Sequence, residues 1–180
     1  AHAKGFGEVV ISTSIEQLGF RYDDTRIVLI SHAHGDHDGS VKFLQDTYNA
    51  RVIMGPKDWE LAAREADPPR HDMDATDGQK VTLGDTTVTI YITPGHTGGT
   101  LSFMVPVKDR GQAHLAMEWG GTALSGATTK EMLESYISNV RRIKDISDGL
   151  GADVIIWGRR GGVVEEAARE INDAHPDGGR

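Results

Sequence analysis

The segment Ser31-His32-Ala33-His34-Gly35-Asp36-His37-Asp38-Gly39 sets three imidazoles and a carboxylate in an H-x-H-x-D-H pattern. Imidazole nitrogens and carboxylate oxygens are the donors that zinc and similar divalent ions accept. In extended backbone His32 and His34, two residues apart, project to the same side. Asp36 and His37 fall where the chain turns toward the next element. A shuffled chain of this composition produces the pattern on the order of once in a thousand trials, so chance is a poor explanation. The plainer alternative makes these surface histidines around a helix start, with Asp36 or Asp38 as the cap. A cap employs one aspartate and leaves three imidazoles unaccounted for, so a metal site is expected.

A second group lies at Thr93-Pro94-Gly95-His96-Thr97-Gly98-Gly99-Thr100. Glycines on both sides of a histidine let the backbone turn sharply and approach a ligand closely. Alone, such a segment is usually a turn and nothing more. Beside the first motif, His96 becomes the natural third imidazole for one metal. Three protein ligands with an open fourth position are the arrangement of a catalytic zinc rather than a structural one. The sequence leads us to expect a strongly held zinc, with iron, manganese or cobalt suited to the same donors.

The elements that position these groups alternate between helix and strand, giving an α/β or mixed α+β class with sheet in the middle and helices outside. Residues 8–18 carry apolar groups at helical spacing. Ile27-Val28-Leu29-Ile30 reads as a strand buried on both faces and ends at the first histidine. A helix over 40–48, a strand over 51–54 and a helix over 56–65 follow, the last opened by Pro56. Residues 66–78 lack periodicity and read as a surface loop, with the Asp67–Asp77 stretch either simply solvated or a mobile flap over the site. Two strands, 80–83 and 86–92, are joined by Gly84-Asp85, and strands at 101–107 and 113–117 come after them. The longest helix spans 129–147, with Met132, Leu133, Tyr136, Ile137, Val140 and Ile143 on one face. A strand over 152–156 and a helix over 163–171 complete one domain across 1–180.

Composition narrows the function. The chain has 180 residues, 27 acidic against 19 basic side chains, a net charge of −8 and no cysteine. Disulfides, thiolate metal sites and cysteine nucleophiles are excluded together. The acidic balance and the lack of a basic stripe argue against nucleic acid as a partner. No apolar run nears the roughly 20 residues a membrane-spanning helix needs. A small-molecule substrate is the expected partner. The compartment stays open: periplasmic or secreted for a processed form, cytoplasmic otherwise.

The stretches I-V-L-I-S-H-A-H-G-D-H-D-G at 27–39 and D-G-Q-K-V-T-L-G-D-T-T-V-T-I-Y-I-T-P-G-H-T-G-G-T at 77–100 resemble the metallo-β-lactamase superfamily, as do W-G-G-T at 119–122 and G-A-D-V-I-I at 151–156. Within it the chain is most similar to subclass B3-like β-lactamases. The resemblance implies an αββα sandwich with two metals at the sheet edge. It implies that His32, His34 and His96 hold a first zinc and that Asp36 and His37 hold part of a second. The implied chemistry is metal-assisted hydrolysis of a lactam, lactone, amide or ester bond, in which a bound hydroxide attacks a carbonyl while Asp36 orients it and relays a proton.

Three departures accompany the likeness. Gly121 stands where many members bridge their metals with an aspartate. Trp157-Gly158-Arg159-Arg160-Gly161 stands where the family supplies a last histidine, and a guanidinium offers no lone pair. Substitutes for that ligand are His175, His71, His114 and Glu118. The start is also short for the family, so a sandwich truncated at its N-terminus is expected, with a homo-oligomer covering the exposed sheet. Trp119 and Trp157 are candidates to line a substrate cleft, and Arg159 to receive an anionic substrate group. The rival to an enzyme is a metal-binding scaffold, natural or engineered, with little or no catalysis.

Overall fold

The computed structural model describes residues 11–124 and 128–157. Its first sheet is parallel, in the order β1 (Ile27–Leu29), β2 (Arg51–Met54) and β3 (Met73–Asp74). Parallel neighbours cannot be joined by a tight turn, and helices α2 (Val41–Tyr48) and α3 (Pro56–Ala62) provide the crossovers. A short helix α1 (Ser12–Gln17) and a 3-10 turn at Tyr22–Asp24 precede them. The second sheet is an antiparallel meander of β4 (Gln79–Leu83), β5 (Thr86–Ile92), β6 (Leu101–Asp109) and β7 (Gln112–Trp119). Helix α4 (Lys130–Leu150) then returns β8 (Val154–Trp157) parallel to β7.

Strand alternation sorts the apolar side chains into three layers of core. Ile27, Leu29 and Ile53 from the first sheet meet Ile90, Leu101 and Phe103 from the second. Ile30, Val52 and Met54 pack with Val41 of α2 and Trp59 and Ala62 of α3. Met104 and Trp119 pack with Ile143, Tyr136 and Ile146 of α4. Helix, sheet, sheet, helix is the αββα sandwich the sequence leads one to expect. Trp59 belongs to its core. No helix among the described residues is long and apolar enough to cross a membrane.

Four local expectations need correction. The first strand is only three residues long and half-buried, although both its faces are packed, Ile27 and Leu29 against the second sheet and Val28 against the α2 and α3 side. The 66–78 segment is mostly an exposed loop, but it also carries β3 and does not line the histidine cleft. Met73 and Asp74 pair with Ile53 and Met54, Ala75 is buried, and Asp72 accepts from Val52 N and Gln45 Nε2. Neither aspartate caps α2: Ser40 is its N-cap without a side-chain bond, and the Asp38 carboxylate is buried beside Glu65, which with burial raises its pKa. On α4 the apolar face divides. Ile143, Tyr136 and Ile146 reach the sheet, whereas Met132, Leu133, Ile137 and Val140 are exposed. The helix expected over 163–171 lies outside the described residues, as do residues 8–10.

Candidate metal centre

Both histidine-bearing loops leave strand ends at one edge of the sandwich. Leu101 N donates to the Ser31 carbonyl at 2.8 Å, tying the end of β1 to β6 where His32 emerges. His37 N and Asp38 N both donate to the His34 carbonyl, which folds the motif into a tight turn. Thr93 N to Thr100 O, 2.8 Å, closes the His96 loop at its base. Helix α4 braces that loop through Ser135 Oγ and Asn139 Nδ2, both donating to the Pro94 carbonyl. The brace requires close approach: a Cβ on Gly95 would lie 2.6 Å from Tyr136 Cα, so only glycine fits.

His32, His34 and His96 offer nitrogens that all lie within 4.8 Å of one another. His96 Nε2 is 3.2 Å from His32 Nε2 and 3.1 Å from His34 Nδ1. Tetrahedral zinc with bonds of roughly 2.0–2.1 Å separates neighbouring nitrogens by about 3.3 Å, and the two separations from His96 match that value. The other ring nitrogens strengthen the case. His32 Nδ1 donates to the Gly120 carbonyl at 2.7 Å, and His96 Nδ1 donates to the Ala123 carbonyl. A carbonyl only accepts, so each Nδ1 carries the hydrogen and, in the neutral ring, each Nε2 carries a bare lone pair. Burial, then the neighbouring His37 and His96, push His32 down to about 3, which keeps it neutral near pH 7. Two lone pairs facing each other across 3.2 Å repel unless a cation lies between them. Outer hydrogen bonds that fix the tautomer in this way are typical of metal-ligating histidines.

The cleft around these nitrogens has a volume of about 260 Å³, and Asp36, His37, Trp119 and Gly120 to Ala123 line it with them. His32 is buried, His96 half-buried and His34 exposed, so the site opens to solvent on the His34 side. Asp36 is exposed. Burial opposes its ionisation, but its own backbone N–H and the nearby imidazoles outweigh burial and lower its pKa. His37 Nδ1 lies 3.3 Å from Ser31 Oγ, its Nε2 lies 3.9 Å from Asp36 Oδ2, and its ring centroid lies 3.9 Å from that of His32 with the planes tilted by 44°. Trp119 is buried. Its Nε1 donates to Gly121 O at 2.6 Å, anchoring the loop whose carbonyls receive His32 and His96.

Among the described residues no third His, Asp or Glu joins Asp36 and His37 to complete a second site. His71 pairs with Asp74 at 2.8 Å and stacks on Trp59, and His114 pairs with Asp153 at 2.6 Å. Glu118 lies opposite Phe103 and Ile156 and is absent from the cleft lining. His175 and Arg159 lie outside the described residues, and of Trp157 only the backbone, paired with Trp119, is described. Sequence reasoning misses the carbonyls of Gly120 and Ala123 and the Ser31 hydroxyl, because a distant backbone group leaves no mark on residue type.

Burial pushes Glu118 up to about 7 from 4.5, and its Oε2 is buried without a hydrogen-bond partner. A carboxyl with a raised folded pKa stabilises the fold below the unfolded value and loses that contribution as pH rises to the folded one. Glu118→Gln should therefore raise stability by about 1–3 kcal/mol at pH 8 and change it little near pH 4.5. Urea unfolding at the two pH values checks this, and an equal effect at both contradicts it.

An αββα sandwich with a three-imidazole site at its sheet edge defines the class of protein. The chain belongs to the metallo-beta-lactamase superfamily, whose family profile matches residues 4–109. The native FEZ-1 metallo-beta-lactamase from Legionella gormanii is 27% identical with a TM-score of 0.65, over 77% of this chain and 61% of that one. BJP-1, a subclass B3 metallo-beta-lactamase of Bradyrhizobium japonicum, shares the fold at a TM-score of 0.74 and 23% identity, over 99% of this chain and 71% of that one. The hydroxyacylglutathione hydrolase of Rhodopseudomonas palustris is 32% identical over 91 residues, covering 51% of this chain and 32% of that protein. The match thus spans about a third of that relative's length.

Proposed function

We propose that this chain is a metal-dependent hydrolase that cleaves a lactam, lactone, amide or ester bond in a small molecule, with zinc as the resident ion. The observation that carries the reading is the pair of bare Nε2 lone pairs of His32 and His96 facing each other, with His34 Nδ1 beside them. These three nitrogens would hold the ion. A divalent cation so held supplies Lewis acidity, polarising a carbonyl oxygen and bringing the pKa of a water near 7.

The remaining work falls to the chain's own groups. Asp36, ionised and at the open side of the cleft, accepts a hydrogen bond from the attacking water, orients it and takes up its proton. His37 neighbours Asp36 and, held down in pKa chiefly by burial, is neutral near pH 7 and free to exchange hydrogen bonds with it. Trp119 and the Gly120 to Ala123 segment close one wall of the cleft and limit water there. Similarity to β-lactamases and to a hydroxyacylglutathione hydrolase supports acyl-group hydrolysis and leaves the choice of acyl compound to assay.

The test is a panel of chromogenic lactam, lactone, ester and thioester substrates, run on protein loaded with zinc and on the same protein after chelation. Turnover well above free zinc, lost on chelation and regained on reloading, is expected. Rates equal to those of free zinc would overturn the reading and assign the chain to the scaffold class instead.

A further inference from the structure

The two loops that bring the imidazoles together are more than sixty residues apart in sequence, and one buried side chain joins them. Asp58, in the first turn of α3, has no exposed surface. Its Oδ2 accepts from Ala33 N at 2.9 Å and from Thr97 Oγ1 at 2.8 Å, and its Oδ1 accepts from Gly99 N at 2.8 Å. Ala33 stands between His32 and His34, and Thr97 directly follows His96. A single carboxylate therefore holds the residue between two of the imidazoles and the residue adjoining the third.

We propose that Asp58 is a positioning residue for the metal centre: by accepting from Ala33 N, Thr97 Oγ1 and Gly99 N together, it sets the spacing between the His32/His34 loop and the His96 loop. The proposal rests on the metal reading of those histidines given above. All three partners donate, so all need an acceptor, which a carboxylate offers on both oxygens. An amide cannot do the same. In either orientation its NH2 group meets Gly99 N–H, or Ala33 N–H and the Thr97 hydroxyl. The contacts leave no slack for readjustment. A Cβ on Gly99 would lie 2.6 Å from Asp58 N and 2.7 Å from its Oδ1, and a Cβ on Gly55 would collide with the Gly99 carbonyl. Thr97 is held in turn by Thr100, whose Oγ1 accepts from Thr97 N at 2.9 Å and lies 2.7 Å from Thr97 Oγ1. Changes to groups that orient metal ligands without touching the metal weaken metal binding by about 10–100-fold.

The experiment compares the full chain with Asp58→Asn, Thr97→Val and Thr97→Ser, measuring zinc affinity by chelator competition and the visible absorption of the cobalt-substituted protein. Asp58→Asn should weaken zinc by about 10–100-fold and alter the intensity and position of the cobalt bands. Thr97→Val should do so to a lesser degree, and Thr97→Ser, which keeps the hydroxyl, should match the parent. Should Asp58→Asn fail to fold, the Thr97 pair decides the matter. Variants that melt earlier in the metal-free form yet keep the parent's affinity and spectrum would reduce Asp58 to a fold-stabilising contact and overturn the proposal alone. A parent protein that holds no zinc would sink this proposal and the metal reading together.

Discussion

Replacing His96 by Ala leaves a folded protein that no longer retains a divalent cation through dialysis, with affinity down by more than about 100-fold, beyond the loss expected for a change in a group that only orients a ligand. His96 Nε2 is the atom common to both close separations, 3.2 Å to His32 Nε2 and 3.1 Å to His34 Nδ1. Without it two donors remain, a set no richer than Asp36 with His37. The ring stands on a loop closed by its own backbone bond and braced by α4, so its removal disturbs the surrounding strands little. Circular dichroism beside metal content after dialysis separates loss of the ion from loss of the fold. Full metal retention by the Ala variant would contradict the site as described.

Gly121→Asp should be among the most damaging single changes to both stability and metal binding. It places an aspartate where the sequence resemblance leads one to expect a metal-bridging one, yet the backbone here leaves no space for it. A Cβ at Gly121 would collide with His96 Cβ and lie 2.8 Å from its Cγ and 3.1 Å from its Cδ2. His96 cannot withdraw without giving up its Nδ1 bond to the Ala123 carbonyl. Overpacking of this kind costs about 1–3 kcal/mol. At about 2–4 °C per kcal/mol for a domain of this size, the melting temperature should fall by roughly 2–12 °C. Zinc affinity should fall with it, because the imbalance is absorbed by a ligand. Calorimetry and chelator competition on the variant check both effects. A variant that melts with the parent and takes up a second equivalent of zinc would contradict the packing at Gly121.

The parts of the site legible in the sequence are those fixed by local chain geometry. His32 and His34 need only two-residue spacing after an apolar run, and the glycines around His96 announce a loop that can approach a ligand. Glu118 stands out for the same reason, as a carboxyl in an apolar strand, and it is indeed half-buried, with one oxygen enclosed and a raised pKa. What escapes the sequence depends on distant partners. The carbonyls that fix the tautomers of His32 and His96 belong to a loop some 25 to 90 residues away. Asp58 resembles an ordinary acidic residue in the first turn of a helix, where such residues are common. β3 is two residues long and exists through its pairing with β2, which no periodicity reveals. The α4 stripe misleads for a geometric reason: its apolar arc is wider than the strip the sheet covers, so Leu133, Ile137 and Val140 remain outside while Ile143 is buried.

Metal content of the purified chain, quantified by elemental analysis before and after exhaustive dialysis and paired with X-ray absorption at the metal edge, is decisive for the three-imidazole centre. One tightly held equivalent with imidazole nitrogens around it is expected. A folded protein that keeps no cation, or one whose absorption spectrum lacks nitrogen neighbours from histidine, would contradict it.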